Sequence, residues 1–138
     1  MSEQIKATIR RAIERFNNPA TRSAYFEIYD TNCVIHGVGI EPGIEAIKQF
    51  YTAFWTAFPD VEIILGDIIT EGDKMAARYV VKGTHKGNLM GIPPTGKSVN
   101  VSGMTMARFA NGKCVERWAA LDMLGIMQQI GVVPAPGQ

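Results

Sequence analysis

Two cysteines and two histidines are all that this chain of 138 residues offers to soft metals or redox chemistry. Cys33 and Cys114 stand far apart with no C-x-x-C spacing, and no H-x-H or H-x-x-x-H pair exists. That argues against a zinc site or a redox dithiol and leaves a disulfide open. Blocks of like charge are missing as well. Fourteen basic against thirteen acidic residues leave a formal net charge of +1, so no nucleic-acid footprint stands out. Nor is there a long apolar run: no window holds eighteen apolar residues, and Met1-Ser2-Glu3-Gln4-Ile5-Lys6 lacks the charged-then-apolar layout of a signal peptide. The expectation is a cytoplasmic chain without a membrane span. Asn100-Val101-Ser102 matches the glycosylation acceptor pattern, which without a secretory signal is a chance match.

What is present is periodicity. A hydrophobic content of 46% suits one domain spanning residues 1–138 around one core. From Ser2 to Phe16 the apolar Ile5, Ile9, Ala12, Ile13 and Phe16 recur at three and four, which predicts an amphipathic helix. Asn18-Pro19 predicts a second, shorter helix running to about Tyr29. Asp30-Thr31-Asn32 should break it, and Cys33 to His36 reads as a short strand. Pro42 opens a third helix carrying Ile44, Ile47, Tyr51, Phe54, Trp55 and Phe58, which Pro59 must stop. Four β-branched-rich segments follow: Val61 to Thr70, Met75 to His85, Val99 to Phe109 and Val115 to Leu121. Turn signals separate them, and Asn111-Gly112 is the strongest of these. Helices first and a meander after them predict α+β architecture, with helices on one face of a curved antiparallel sheet. The tail Pro134-Ala135-Pro136-Gly137 reads as a frayed end.

Chemistry concentrates at Glu116 to Met123. Read as a strand, this stretch puts Trp118, Ala120 and Asp122 on one face, as a pocket wall with one polar group would. Met123, Leu124, Ile126, Met127 and Ile130 follow at helical spacing, so Asp122 sits where a strand gives way to a helix. There it is either an N-cap contributing about 1 kcal/mol or a catalyst. The helix N-terminus stabilises its anion by under about 1 kcal/mol, whereas complete desolvation raises a carboxyl by up to about 3 to 5 pKa units. In a dry cavity desolvation wins. His85 shares strand parity with Tyr79 and Val81 and either faces the cavity or lies at the surface. His36, before Gly37, has a rim position. Leu89, Met90 and Ile92 are apolar where a loop is normally polar, as in a lid or a seam between subunits.

Three groups of residues carry a resemblance: Phe58-Pro59-Asp60-Val61; Gly83-Thr84-His85-Lys86-Gly87 with Gly91-Ile92-Pro93-Pro94-Thr95-Gly96; and Asn111-Gly112-Lys113 leading to Glu116-Arg117-Trp118 and Asp122. Over nearly its whole length the chain resembles the SnoaL-like polyketide cyclases, or ester cyclases, of the nuclear transport factor 2-like superfamily. The resemblance implies a cone-shaped α+β fold, a bent sheet wrapped round long helices with an apolar cavity at one end. It also implies that the carboxylate matching Asp122 acts as acid/base in an intramolecular aldol closure, with no metal or cofactor. The strand Val99 to Phe109 offers Met104 and Met106 where such enzymes bring polar groups.

Two functional classes follow. One is a cofactor-free cyclase-type enzyme, with Asp122 as acid/base and His85 as its assistant. Trp118, Tyr51, Trp55, Met104 and Met106 would then wall the site, with His36 at its rim, around a small apolar carbonyl-bearing substrate. Isomerisation or hydration in the same pocket is a close variant. The other class is a non-catalytic ligand-binding or dimerisation module. Under either, the sheet face bearing Arg78, Val80 and Lys82 would form a homodimer.

Overall fold

The computed structural model describes residues 2–134, so Ala135, Pro136 and Gly137 of the expected frayed tail lie outside the described residues. The first helix, α1 (Ser2–Asn17), buries Ile5, Ile9, Ala12 and Phe16, the apolar stripe that its spacing requires. It ends on Asn17, whose side-chain amide donates to the carbonyl of Ile63 at 2.9 Å and accepts from its N–H at 2.7 Å. One side chain thus ties the helix to a sheet edge.

The second helix is much shorter than expected. α2 (Arg22–Tyr25) gives way to a single 3₁₀ turn, Phe26–Ile28, and the first strand, β1 (Tyr29–His36), begins at the residue where the helix was expected to end. The tighter turn lets Tyr29 enter the sheet opposite Cys114, which a continuous helix would prevent. The polar Asp30-Thr31-Asn32 run, expected to end that helix, lies instead inside β1, where the register slips between Tyr29 and Val34. The third helix, α3 (Ile44–Ala57), starts after Gly43, whose φ of 105° admits only glycine comfortably. It buries Ile47, Tyr51, Phe54 and Ala57.

Four further strands are close to expectation: β2 (Glu62–Glu71), β3 (Lys74–Thr84), β4 (Ser98–Ala110) and β5 (Lys113–Leu121), followed by a last helix, α4 (Met123–Gln129). Asn111 and Gly112 take φ of 53° and 76°, the doubly positive pair of a tight hairpin turn. The curved sheet has the order β1-β5-β4-β3-β2 and is antiparallel except at one edge. There β1, which the sequence did not place within the sheet, runs parallel to β5. The long chain between those two strands imposes no hairpin on them.

Register decides which residues face inward, since residues paired across strands share a face. Met75 pairs with Ala107 and Ala107 with Arg117; Ala77 pairs with Thr105 and Thr105 with Ala119; Tyr79 pairs with Gly103. These rows form the inner face. Arg78 pairs with Met104, and Ala76 with Met106 and so with Trp118, on the outer face. Three expected pocket walls are therefore corrected: Met104, Met106 and Trp118 are 63%, 45% and 37% exposed on the outside of the sheet. A face that turns Arg78 outward turns Met104 outward too. On the inner face Gly103 makes room for Tyr79, since a Cβ there would lie 2.7 Å from its ring and hydroxyl. Its absence lets the phenol cross the strand.

Candidate active site

Between α1, α3 and the inner face of the sheet lies a cavity of about 390 Å³. That is roughly two to three times the ~150 Å³ in which a dry apolar cavity accepts benzene. Ile9, Phe50, Leu65, Phe109 and Met123 represent its mostly apolar lining, and among the described residues neither a carboxylate nor a histidine is part of that lining. Apart from Asn88, its polar side chains gather around one cation.

That cation is Arg117, on the inward row of β5. Its Nε donates to Thr105 Oγ1 at 2.8 Å, and its Nη1 donates to the hydroxyls of Tyr29, at 3.1 Å, and Tyr51. Thr105 in turn donates to the carbonyl of Trp118 at 3.1 Å, which fixes the plane of the guanidinium from behind. All four tyrosines of the chain line the cavity. Tyr25 and Tyr29 share a hydrogen bond, and the ring of Tyr79 reaches over Gly103 toward the arginine. Nη2 is engaged by none of these bonds. Among the described residues no carboxylate lies within ion-pair distance of Arg117.

Electrostatics preserve this state. Burial alone would lower the basicity of Arg117, but the surrounding phenols, Tyr51 foremost, outweigh it and hold the guanidinium well above its usual range. Burial raises the phenols of Tyr25, Tyr29 and Tyr79, and so they stay neutral hydrogen-bond donors. The neighbouring carboxylate is turned away: Glu116 Oε2 lies 2.7 Å from His36 Nε2, and its Oε1 accepts from Arg108 Nη2 at 3.4 Å. The His36 hydrogen bond, more than Arg108, lowers the Glu116 carboxyl below its ordinary range.

The expected site residues fall in different places. Tyr51 is on the cavity wall. Trp55 is not; it packs against Phe16, Tyr25 and Phe26 with the Arg22 guanidinium 5.5 Å from its ring. His36 lies on the outer face, stacked on Trp118 with ring centroids 5.4 Å apart. His85 is wholly buried but outside the lining, because β3 ends at Thr84 and the strand parity stops with it. It packs on Phe58, and its Nδ1 accepts from the N–H of Thr95 at 3.2 Å, bracing the base of the loop that follows. From that loop Asn88, Leu89 and Met90 reach the cavity.

Asp122 is exposed and caps α4, its Oδ1 accepting from the Gly125 N–H at 2.8 Å. Gly125 is part of the cap, since a Cβ there would come 2.4 Å from Oδ2. The burial on which a desolvated Asp122 depended is missing, although its neighbours Leu121 and Met123 both line the cavity. Cys33 and Cys114, distant in sequence, are buried neighbours with sulfurs 3.9 Å apart. Among the described residues no three His, Cys, Asp or Glu side chains converge as metal ligands, and no helix is long and apolar enough to cross a membrane.

Arg117 escaped the sequence reading because a charge beside a tryptophan on a strand is normally assigned to the outside. One signal was available: Arg117 shares parity with Ala119 and Leu121, which are both apolar.

Comparison with known proteins points one way. A family model described as SnoaL-like polyketide cyclase matches residues 7–130. Aklanonic acid methyl ester cyclase DnrD from Streptomyces peucetius is 29% identical over 137 residues, covering 95% of this chain and 92% of that one. Among solved structures, AclR from Streptomyces galilaeus, a proposed hydroxylase, superposes with a TM-score of 0.87 at 27% identity, over 100% of this chain and 87% of that one. IdmH from Streptomyces antibioticus, a proposed polyketide cyclase, gives 0.77 at 29% identity, over 93% and 99%.

The phenols supply a pH test. Folding raises three of them, so above the ordinary tyrosine value of 10 the unfolded chain holds fewer protons than the folded one, and stability falls as pH rises. Phenolate absorbance should therefore appear in one step, together with loss of tertiary circular dichroism, above pH 10. Smooth titration of three or more tyrosines near 10 in a chain that stays folded would contradict the buried cluster.

Proposed function

The chain belongs to the SnoaL-like polyketide cyclase family, and from that premise we propose that it closes a ring by a cofactor-free intramolecular aldol reaction on a small apolar substrate bearing at least two carbonyls. In such a step a proton leaves the carbon next to one carbonyl, the enolate carbon attacks the second carbonyl, and the resulting alkoxide takes a proton. Negative charge therefore develops on oxygen twice. The observation that carries the reading is the half-buried guanidinium of Arg117 on the cavity wall, with no carboxylate beside it among the described residues and the hydroxyls of Tyr29 and Tyr51 accepting from its Nη1. Pre-aligned donors in a water-poor site stabilise an oxyanion far more than water does. Thr105 holds the cation in place, so little reorganisation is needed when the charge appears. The apolar walls exclude the water that would otherwise screen it.

Asp122 is the group we assign to proton transfer. It stands between two cavity-lining residues, and its Oδ2 takes no hydrogen bond from the described residues. His85 serves as the brace of the loop over the cavity rather than as an assistant in the reaction. Isomerisation or hydration would pass through the same enolate and use the same arginine.

The outer face supports a second copy of the chain as partner. Met104, Met106 and Trp118 form an exposed apolar centre, with Arg78, Arg108, Glu116 and His36 around it. An apolar centre with a mixed-charge rim suits a self-complementary interface. Sedimentation should show a dimer that Trp118→Lys or Met106→Glu dissociates; a wild-type chain that sediments as a monomer would remove this partner.

Ring closure of a diketo ester tests the chemistry. Arg117→Met should lower turnover by about 10²- to 10³-fold, the usual loss for one oxyanion donor. Asp122→Asn should keep the fold, since asparagine caps as well as aspartate, and lose turnover. Wild-type rates in Arg117→Met would refute the proposal. Unchanged turnover in Asp122→Asn would leave that residue a cap alone.

A further inference from the structure

We propose that Tyr79 is a second substrate-contacting donor, whose hydroxyl hydrogen-bonds the ketone oxygen that becomes the alkoxide while Arg117 meets the same oxygen from the other side. The inference rests on reading this cavity as the site of ring closure, and adds a residue and the kind of oxygen it recognises.

Register brings the two groups together. Along the inner face Ala107 and Arg117 share one row, Thr105 and Ala119 the next, and Tyr79, Gly103 and Leu121 the one after. Successive rows are two residues apart, about 7 Å. Arg117 does not stay in its own row, since its Nε donates to Thr105 Oγ1 at 2.8 Å. Tyr79 leaves its strand too: the phenol lies over Gly103, its hydroxyl 2.7 Å from where a Cβ would stand. Guanidinium and phenol therefore converge above Thr105 and Gly103. The row of Tyr79 ends at Leu121, next to Asp122, so in the order of rows the phenol stands between the cation and the group assigned to proton transfer.

The other phenols use their hydroxyls differently. Tyr25 and Tyr29 hydrogen-bond each other, and Tyr29 and Tyr51 accept from Arg117. Among the described residues the Tyr79 hydroxyl donates to no acceptor, and Arg117, its charged neighbour, has only N–H groups to offer. Nor is that hydroxyl sealed in. Among the described residues, the side-chain polar atoms shut away without a partner are Trp55 Nε1 and His85 Nε2, whereas Tyr79 borders the cavity. Its proton is available to a guest. Burial raises this phenol above its usual range, so near neutral pH it donates and does not act as a base.

A ketone oxygen suits the pair. It has two lone pairs and accepts from two donors at once: the Tyr79 hydroxyl and Nη2 of Arg117, which the bonds to Tyr29, Tyr51 and Thr105 leave unengaged. As the new carbon–carbon bond forms, that oxygen takes on the negative charge. Donors already aimed at it then favour the transition state more than the bound ketone.

Infrared difference spectra of carbonyl-¹³C 2-acetylnaphthalene bound to the full chain read the contact without turnover. The bound carbonyl stretch should fall below its value in hexane. Tyr79→Phe, which keeps the ring, should reverse part of that fall while weakening binding by only about 2- to 10-fold, as the loss of one neutral hydrogen bond does. Gly103→Ala should act in the same direction by pushing the hydroxyl aside, and if either variant fails to fold the other decides. On a diketo ester, Tyr79→Phe should lower kcat by about 10²-fold and change KM far less. A stretch that is the same in wild type and Tyr79→Phe, or a probe that does not bind, would overturn the inference. So would a loss of kcat with the stretch unaltered, which describes a residue that only positions Arg117. Ring closure is read separately: a hydroxyl-dependent stretch in a chain that closes no ring sinks the cyclase reading alone, and ring closure with a stretch indifferent to Tyr79→Phe sinks this inference alone.

Discussion

A half-buried guanidinium with no carboxylate beside it among the described residues is the constraint from which the arrangement of this protein follows. Such a group is costly inside an apolar core unless its hydrogens are matched. Three neighbouring hydroxyls accept those of Arg117, and each comes from a different element: Tyr29 from β1, Tyr51 from α3 and Thr105 from β4. Several otherwise unexplained features follow. The 3₁₀ turn at Phe26–Ile28 delivers Tyr29 to the first position of β1, Gly103 leaves room for Tyr79, and Thr105 links the guanidinium to the backbone of its own strand. Folding thus sets the charge in place among neutral partners.

The two faces of the sheet divide the labour. Glu116 and Arg117 carry opposite charges and are adjacent in sequence, but strand geometry sends them to opposite sides. Outside, Glu116 joins His36 and Arg108 beside Trp118 and the exposed methionines. Inside, Arg117 has only neutral partners. Alternation along one strand thus separates a solvated ion-pair network, suited to a surface, from an unmatched cation suited to a site.

Much of the architecture was legible from residue patterns. The stripe of α1, the stop at Pro59 and the Asn111-Gly112 hairpin follow from local rules, and the long strands lie close to their β-branched runs. What local rules could not supply was register. Antiparallel pairing couples Arg78 to Met104 and Met106 to Trp118, so the whole outer row changes sides together. Assigning Trp118 inward on the strength of its size therefore inverted the site, and Met104 and Met106 went with it. His85 was misplaced for a smaller reason, since its parity with Tyr79 ended where β3 ends. At Asp122 the capping alternative describes the geometry, helped by Gly125, which has no side chain to block the carboxylate. Four tyrosines spread from residue 25 to 79 carry no sequence pattern of their own; only the folded chain brings them to one arginine.

The most direct test observes the guanidinium itself. In a ¹⁵N-labelled chain, the Nη resonances of Arg117 should be resolved from one another, because bonds from Nη1 to Tyr29 and Tyr51 and from Nε to Thr105 hold the group in one orientation. A single averaged signal that exchanges with water as fast as that of a surface arginine would contradict the account at its centre.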